Sequence, residues 1–407
     1  MENKTLKNKC IVLGVTGSIA AYKAASLTSL LVKAGADVHV IMTENAAQLI
    51  GPATFENLTG NRCLLQTFDR NHEFKVQHIS LAQRANLFII APATANVIAK
   101  VANGLADDML TTTFLACTCP KIIAPAMNTA MYQNPVTQDN LKKCQKYGMT
   151  IVEGESGYLA CGTNGKGRLA EPEVLFDWIE HGLSEKKDLV GKKILVTAGP
   201  TQESLDPVRY ITNHSTGKMG YAIAKAASRR GAEVTLVSGP VTLKELPFVK
   251  TVHITSAAQM AQAVKDNFFD SDIVIKAAAV ADYRPATVSD QKIKKHDDDL
   301  SLPLERTEDI LAWCGKNKKK GQFLCGFSME TQNMVENSKA KLTKKNLDLI
   351  AANSLSSPGS GFAVDTNVLT LISPSAIKEL PLMQKEDAAD SLIDEILSLK
   401  EQRSEES

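Results

Sequence analysis

The chain has almost no excess charge: its basic and acidic side chains nearly cancel, leaving +1 over 407 residues. No global field is therefore available to recruit nucleic acid or an acidic membrane surface. No apolar run reaches the roughly 20 residues that cross a bilayer. The polar stretch from Met1 to Lys9 passes directly into a strand pattern, which is not how a signal peptide reads. The eight cysteines are scattered, and the one close pair, Cys117 and Cys119, has neither zinc-ribbon nor Cys-x-x-Cys spacing. Free thiols in a cytoplasmic protein are expected. Dinucleotide and P-loop signatures are missing too. The first glycine turn is not Gly-x-Gly-x-x-Gly, the second strand ends in Met42-Thr43 rather than a ribose-binding acid, and Lys218 lacks P-loop spacing. This excludes an NAD-dependent oxidoreductase and a P-loop NTPase.

What is present is core: 44% of the residues are hydrophobic, enough for two or three domains at this length. Apolar runs of strand length at 10–15, 37–42, 87–91 and 121–124 alternate with helical patterns at 19–33, 95–102, 107–116 and 136–147. A further helix is expected at 171–181. Continuous apolar strands between helices point to a parallel sheet covered on both faces. Residues 182–193 are polar and charged, and a strand begins anew at Ile194. The second half repeats the plan of the first, with Lys33-Ala34-Gly35-Ala36 echoed by Arg230-Gly231-Ala232. Packing common to such domains accounts for the echo better than recent duplication does. The expectation is an α/β chain of two tandem doubly wound domains, 1–187 and 188–407, with parallel sheets flanked by helices and a frayed polar tail after Leu399.

In the first half, Gly14-Val15-Thr16-Gly17-Ser18-Ile19-Ala20 follows a strand and opens a helix, where backbone N–H groups and a hydroxyl suit a phosphate. Pro92-Ala93-Thr94-Ala95-Asn96 and Pro125-Ala126-Met127-Asn128-Thr129-Ala130-Met131 follow later strands, so they share the same sheet edge and can cradle a flat polar ring or its chain. Asn128 alone reads more readily as a turn residue than as a functional one, and His78 can be read as a buried, satisfied histidine. Cys161 lies in the glycine-spaced stretch Ala160–Arg168, with Lys166 and Arg168 favouring thiolate. It is either an acid or nucleophile on a mobile flap, or a cysteine that merely sits in a surface loop.

Together, Gly-Ser-Ile-Ala, His-Ile-x-Leu, Pro-Ala-Thr-Ala-Asn, Pro-Ala-Met-Asn-x-x-Met and Ala-Cys-Gly-x-x-Gly-x-Gly-Arg resemble the flavin-dependent cysteine decarboxylases, phosphopantothenoylcysteine decarboxylase above all, over residues 8–180. The resemblance implies a flavodoxin-like fold and FMN held by Gly17, Ser18, Thr43, Thr94, Ala95, Asn96 and Ala126. It also implies oxidation of a cysteinyl thiol to a thioaldehyde, whose C=S accepts the electrons released with CO2; hydride return and protonation follow. His78 is then base or positioner, Asn128 clamps the carboxylate, and Cys161 donates the proton under a closing flap that excludes water.

In the second half, Thr201–Tyr210 leads to Asn213-His214-Ser215-Thr216-Gly217-Lys218-Met219-Gly220, whose glycine-bracketed lysine at a helix start suits a phosphate. Ala277-Ala278-Ala279-Val280-Ala281-Asp282-Tyr283 ends a strand with an acid, and Lys292-Ile293-Lys294-Lys295 forms a basic cluster that alone would read as a solvated turn. With Gly326-Phe327 and Glu330-Thr331, these motifs are similar to phosphopantothenate–cysteine ligase over about 191–385. That likeness implies a Rossmann-like fold and CTP-driven amide formation through an acyl-cytidylate. Asn213 would contact that intermediate, and Lys292 would stabilise charge at the transferring phosphorus. Lys276, Ala277, Ala278, Asp282, Glu308, Asp309, Ile310, Leu311, Phe327, Lys341 and Lys345 would line the nucleotide site, with Asp282 also serving Mg²⁺.

Three positions depart from the pattern: Gln202 stands where Arg is common, Arg306-Thr307-Glu308-Asp309-Ile310 replaces Lys-Asn-Pro-Asp-Ile, and Asp107-Asp108 replaces Asn-Asp. The expected reading is a bifunctional enzyme using 4'-phosphopantothenate, L-cysteine and CTP, cytoplasmic and homo-oligomeric, without nucleic-acid or membrane partners. A prenyltransferase or peptide cysteine decarboxylase on the same fold lacks a reason for the ligase half. A regulatory flavoprotein lacks a reason to retain His78, Asn128 and Cys161 together.

Overall fold

The structure is a computed structural model that describes residues 5–67, 77–154, 156–158, 164–294, 301–330, 333–354, 361 and 364–405. It divides into two compact units, Met1–Ser184 and Glu185–Ser407.

In the first unit, β1 (Cys10–Val15), β2 (Asp37–Met42), β3 (Leu87–Ala93), β4 (Lys121–Pro125) and β5 (Thr150–Ile151) form a parallel sheet in the order β2-β1-β3-β4-β5. β1 and β3 are buried along their whole length because helices cover both faces. On one face pack the helices Ala21–Lys33 and Pro172–Leu183; on the other lie Gln77–Arg84, Ala95–Asn103 and Met109–Ala116. The helix Met109–Ala116 starts on a capping box in which Asp108 accepts from Thr111 N at 2.8 Å.

Among the described residues, the second unit contains an eight-stranded sheet. Its order is Lys250–His253, Glu233–Ser238, Lys193–Ala198, Ile273–Lys276, Phe323–Glu330, Leu349–Ser354, Leu369–Ile372, Ile377–Glu379. The first six strands run parallel, and the last two pair antiparallel. That antiparallel edge differs from the all-parallel expectation. Antiparallel neighbours need no helical crossover, so the alternation of strand and helix is interrupted there.

The echo between the halves is a shared turn. Gly35 (φ 88°) and Gly231 (φ 93°) each take a left-handed conformation just after a helix. In both, the glycine N–H returns to a carbonyl three residues back (Val32, Ser228), and the next N–H to one five back (Leu31, Ala227).

The tail also differs from expectation: the last helix, Lys385–Glu405, continues past Leu399. Ala388, Ala389, Leu392, Ile393, Ile396 and Leu399 bury one stripe in the core. Beyond it, Lys400 donates to the Gly321 carbonyl at 2.8 Å, and Arg403 pairs with Asp348 and lies over the Phe323 ring.

Candidate functional site

Parallel strands deliver their following loops to one sheet edge, and in the first unit three such loops surround a cavity of about 630 Å³. Gly17 and Ser18 reach it from β1, Thr94 and Ala95 from β3, and Ala126 and Asn128 from β4. The loops are locked together by Thr16, which is fully buried. Its hydroxyl donates to the Pro92 carbonyl at 2.7 Å and accepts from Thr94 N at 3.0 Å. At Gly17 a Cβ would stand 2.6 Å from that of Asn45, so only glycine lets the loop lie this close to the segment capped by Thr43. Thr94 caps the helix that follows β3 and presents the helix start to the cavity.

Asn128 is the turn residue that one of its readings describes, and it also faces the cavity. Its Oδ1 accepts from Ala130 N at 2.8 Å, capping the helix Thr129–Gln133, while the residue is exposed on the cavity wall. Lys23 and Arg168 also line the cavity, and both donate to Oε1 of Glu171, at 2.9 and 2.7 Å. Lys23 escapes a motif search because it looks like one more position on a helix. The signal lies in its being a charged residue on the stripe that Ala24, Leu27 and Leu31 bury. Apolar Ile19, Met127 and Met131 complete the wall.

The half-buried Thr43 and the exposed Asn96 lie outside the lining, as does His78, half-buried on the helix Gln77–Arg84. Cys161 lies outside the described residues; the flanking pairs Gly157–Tyr158 and Asn164–Gly165 run antiparallel.

In the second unit, the Asp-Pro-Val-Arg motif folds on itself and holds the loop that carries Lys292. The Asp206 carboxylate accepts from Val208 N and Arg209 N, both at 2.8 Å, from Arg209 Nε at 2.9 Å and from Ile293 N at 3.1 Å. Arg209, first among these contacts, holds that carboxyl well below the usual carboxylate range. Arg209 also donates to the Ile293 carbonyl at 2.7 Å. Lys292 itself is exposed.

Asn213 Nδ2 donates to the Ala279 carbonyl at 3.0 Å, bringing that loop to the strand-end segment 277–282. Thr307 ties the 306–310 segment to the same place, its N–H bonding the Asp282 carbonyl at 3.0 Å and its hydroxyl that of Ala281 at 2.6 Å. Asp309 caps the helix Ile310–Asn317 and pairs with Lys345 at 2.9 Å. Its carboxyl feels burial most, yet the Ala312 N–H and Lys345 hold it below its ordinary value. Lys276, at the end of its strand, is buried, and its amine has no hydrogen-bond partner among the described residues. Burial pushes it down to about 8. Phe327 and Ala277 are half-buried, whereas Asp282 and Lys341 are exposed. Lys218, read as suited to a phosphate, pairs with Asp365 at 2.6 Å. A separate cavity of about 410 Å³ is lined by Gln202 together with Arg284 and Glu305, and none of the expected nucleotide residues reaches it.

Residues 1–184 match the family described as Flavoprotein, and residues 189–399 match the DNA/pantothenate metabolism flavoprotein C-terminal domain. The Coenzyme A biosynthesis bifunctional protein CoaBC of Bacillus subtilis (strain 168) is 48% identical over 99% of this chain and 100% of its own length. Its namesake in Escherichia coli (strain K12) is 45% identical over 97% of this chain and 98% of its own. The chain belongs to the bifunctional coenzyme A biosynthesis proteins. It is accordingly an enzyme whose flavoprotein half is a decarboxylase and whose carboxyl-terminal half is a ligase. A solved C-terminal domain of a Coenzyme A biosynthesis bifunctional protein CoaBC is 44% identical and covers 53% of this chain and 99% of that one, with a TM-score of 0.46.

Two of the three departures noted in the sequence have charge partners nearby, and nothing in the structure explains Gln202. Glu308 is neutralised by Lys265 at 2.7 Å, and Asp107 and Asp108 both receive Lys100, at 2.7 and 3.0 Å.

Proposed function

We propose that the amino-terminal half binds FMN in the 630 Å³ cavity and decarboxylates 4'-phospho-N-pantothenoylcysteine to 4'-phosphopantetheine. The carboxyl-terminal half makes that substrate from 4'-phosphopantothenate, L-cysteine and CTP. The observation that carries the reading is the convergence of three strand-end loops, locked by Thr16, on one cavity with mixed polar and apolar walls. Such a cavity fits a flat ring with a polar phosphorylated chain. Gly17, Ser18, Thr94, Ala95 and Ala126 hold it directly, with Thr43 and Asn96 at the rim. Bound flavin supplies a two-electron oxidation of the substrate thiol and the later return of hydride.

The protein's own work is orientation, shielding and proton handling. Asn128 binds the departing carboxylate, His78 takes or positions the thiol proton, and Cys161 returns a proton to carbon. Because His78 does not line the cavity of one chain, and Ile19, Tyr22 and Met131 at its wall are 65%, 64% and 50% exposed, a second copy of the chain completes the site in a homo-oligomer.

In the ligase half, the phosphopantothenate carboxylate attacks the α-phosphorus of CTP and expels pyrophosphate. The cysteine amine then displaces CMP from the acyl-cytidylate. Asn213 steadies the mixed anhydride, and Lys292 meets charge on the phosphorus. Lys276, Ala277, Ala278, Glu308, Asp309, Ile310, Leu311, Phe327, Lys341 and Lys345 surround the nucleotide. The exposed Asp282 offers one carboxylate to a Mg²⁺ held otherwise by the triphosphate, a common arrangement for that ion. No described helix is long and apolar enough to cross a membrane, and the reading places the enzyme in the cytoplasm.

The test is to supply 4'-phosphopantothenate, cysteine and CTP to the purified protein and follow CMP and CO2. Lys292→Ala should lose CTP-dependent ligation by a hundredfold or more and still decarboxylate supplied 4'-phospho-N-pantothenoylcysteine. Unchanged ligation in that variant would refute the role of Lys292, and absence of flavin from the purified protein would refute the amino-terminal assignment.

A further inference from the structure

At the edge of the first sheet opposite the flavin cavity, three ligand-bearing side chains converge. Cys10 opens β1, and its register partner is Asp37, the first residue of β2. Partners in register share a face, and so does His39, two residues along β2. The Cys10 thiol, an Asp37 oxygen and a His39 ring nitrogen all lie within 4.8 Å of one another. His39 Nε2 stands 3.1 Å from Asp37 Oδ2, close to the spacing of two ligands on one tetrahedral zinc at about 2.0–2.2 Å each.

We propose that Cys10, Asp37 and His39 form a binding site for a zinc-class divalent cation, with water as the fourth ligand. A thiolate, an imidazole and a carboxylate select a borderline-soft ion over Mg²⁺ or Ca²⁺. The site has the supporting features of a metal centre. Asn61 donates to the other Asp37 oxygen at 2.9 Å and to the Val38 carbonyl at 2.9 Å, fixing the carboxylate. Asn86 Oδ1 receives Cys10 N at 2.7 Å, fixing the thiol's backbone. Cys10 is buried, while the Asp37 side chain is 42% exposed, so an ion enters from the carboxylate side.

One group opposes a cation. Arg84 Nη2 donates to Asp37 Oδ2 at 2.8 Å and stands 3.5 Å from His39 Nε2. Its side chain is 56% exposed, so it can swing into water, and an ion pair of this kind is a weak competitor. Binding is a proton exchange: Cys–SH and M²⁺ give Cys–S–M⁺ and H⁺.

The full chain, stripped with chelator, is titrated with Co²⁺, then with Zn²⁺ in competition, following tetrahedral d–d bands to the red of flavin absorption. One equivalent per chain is expected, with one proton released. Cys10→Ala and His39→Gln should each weaken Co²⁺ at least tenfold, Cys119→Ser should leave the bands intact, and Arg84→Gln should tighten binding severalfold. No bands in the wild type, bands that persist in both Cys10→Ala and His39→Gln, or weaker binding in Arg84→Gln would overturn the assignment. Circular dichroism and flavin retention identify a misfolded variant; should Cys10→Ala misfold, His39→Gln and Arg84→Gln decide the matter.

Discussion

Lys276 shows how a single side chain can carry a pH dependence. Its amine is buried with no hydrogen-bond partner among the described residues, and desolvation lowers it from 10.5 to about 8. Below about 8 it is charged and, in the proposed site, would attract an anionic nucleotide; above that it is neutral and would not. CTP affinity should therefore be flat below that pH and weaken as pH rises through it, with KM for CTP climbing while decarboxylation does not follow. Lys276→Arg, charged throughout, should flatten the profile. An unchanged profile in that variant would remove Lys276 from the nucleotide site. Without nucleotide the linkage has the opposite sense: the folded value lies below the unfolded one, so this residue's contribution to stability improves as pH rises from about 8. Cys161 supports a second prediction, resting on its sequence context alone. Cys161→Ser should still bleach bound flavin on adding substrate, then stall before reduced product forms; normal turnover would show that the proton comes from elsewhere.

At the scale of elements, motifs and supports differ in how readable they are. The strands that deliver Gly17, Thr94 and Asn128 were visible as apolar runs closed by small polar residues, because a doubly covered parallel strand leaves no other pattern. What holds them was not visible. Thr16 is an unremarkable letter in Gly-Val-Thr-Gly, and only the fold shows its hydroxyl joining the β1 and β3 loops. Nor could spacing reveal that Lys218 meets Asp365, 147 residues away. The grip of Asp206 on Ile293 lies equally beyond reach of local pattern, since 87 residues separate them. Two consequences follow. Thr16→Val keeps the shape but leaves the Pro92 carbonyl and Thr94 N–H unmatched, a loss of about 1–3 kcal/mol. Flavin should bind roughly tenfold weaker, read as fluorescence released on dilution, while ligation is unchanged. Asp206→Asn should loosen the Lys292 loop, lowering kcat for ligation more than it raises KM for CTP. A change in KM alone would mean that the loop serves only binding.

At the scale of the whole molecule, each unit has its own hydrophobic core, so damage to one should leave the chemistry of the other. Arg230 makes this testable. Only 2% of its side chain is exposed, and it pairs with Asp188 at 2.6 Å and Asp394 at 2.7 Å, fastening the start of the second unit to its last helix. Burial opposes its charge, but the two carboxylates more than compensate, raising the guanidinium above its ordinary value. Breaking a buried ion pair costs about 3–5 kcal/mol. Asp188 and Asp394 are 42% and 47% exposed, so water takes over much of their solvation, and Arg230→Ala should cost nearer 2 kcal/mol. In a unit of this size that lowers Tm by about 4–8 °C. The shift should appear in the transition that abolishes ligation, while release of flavin keeps its wild-type midpoint. If both transitions moved together, the two halves would be thermodynamically one body, and the stability of the flavin site would depend on the ligase half.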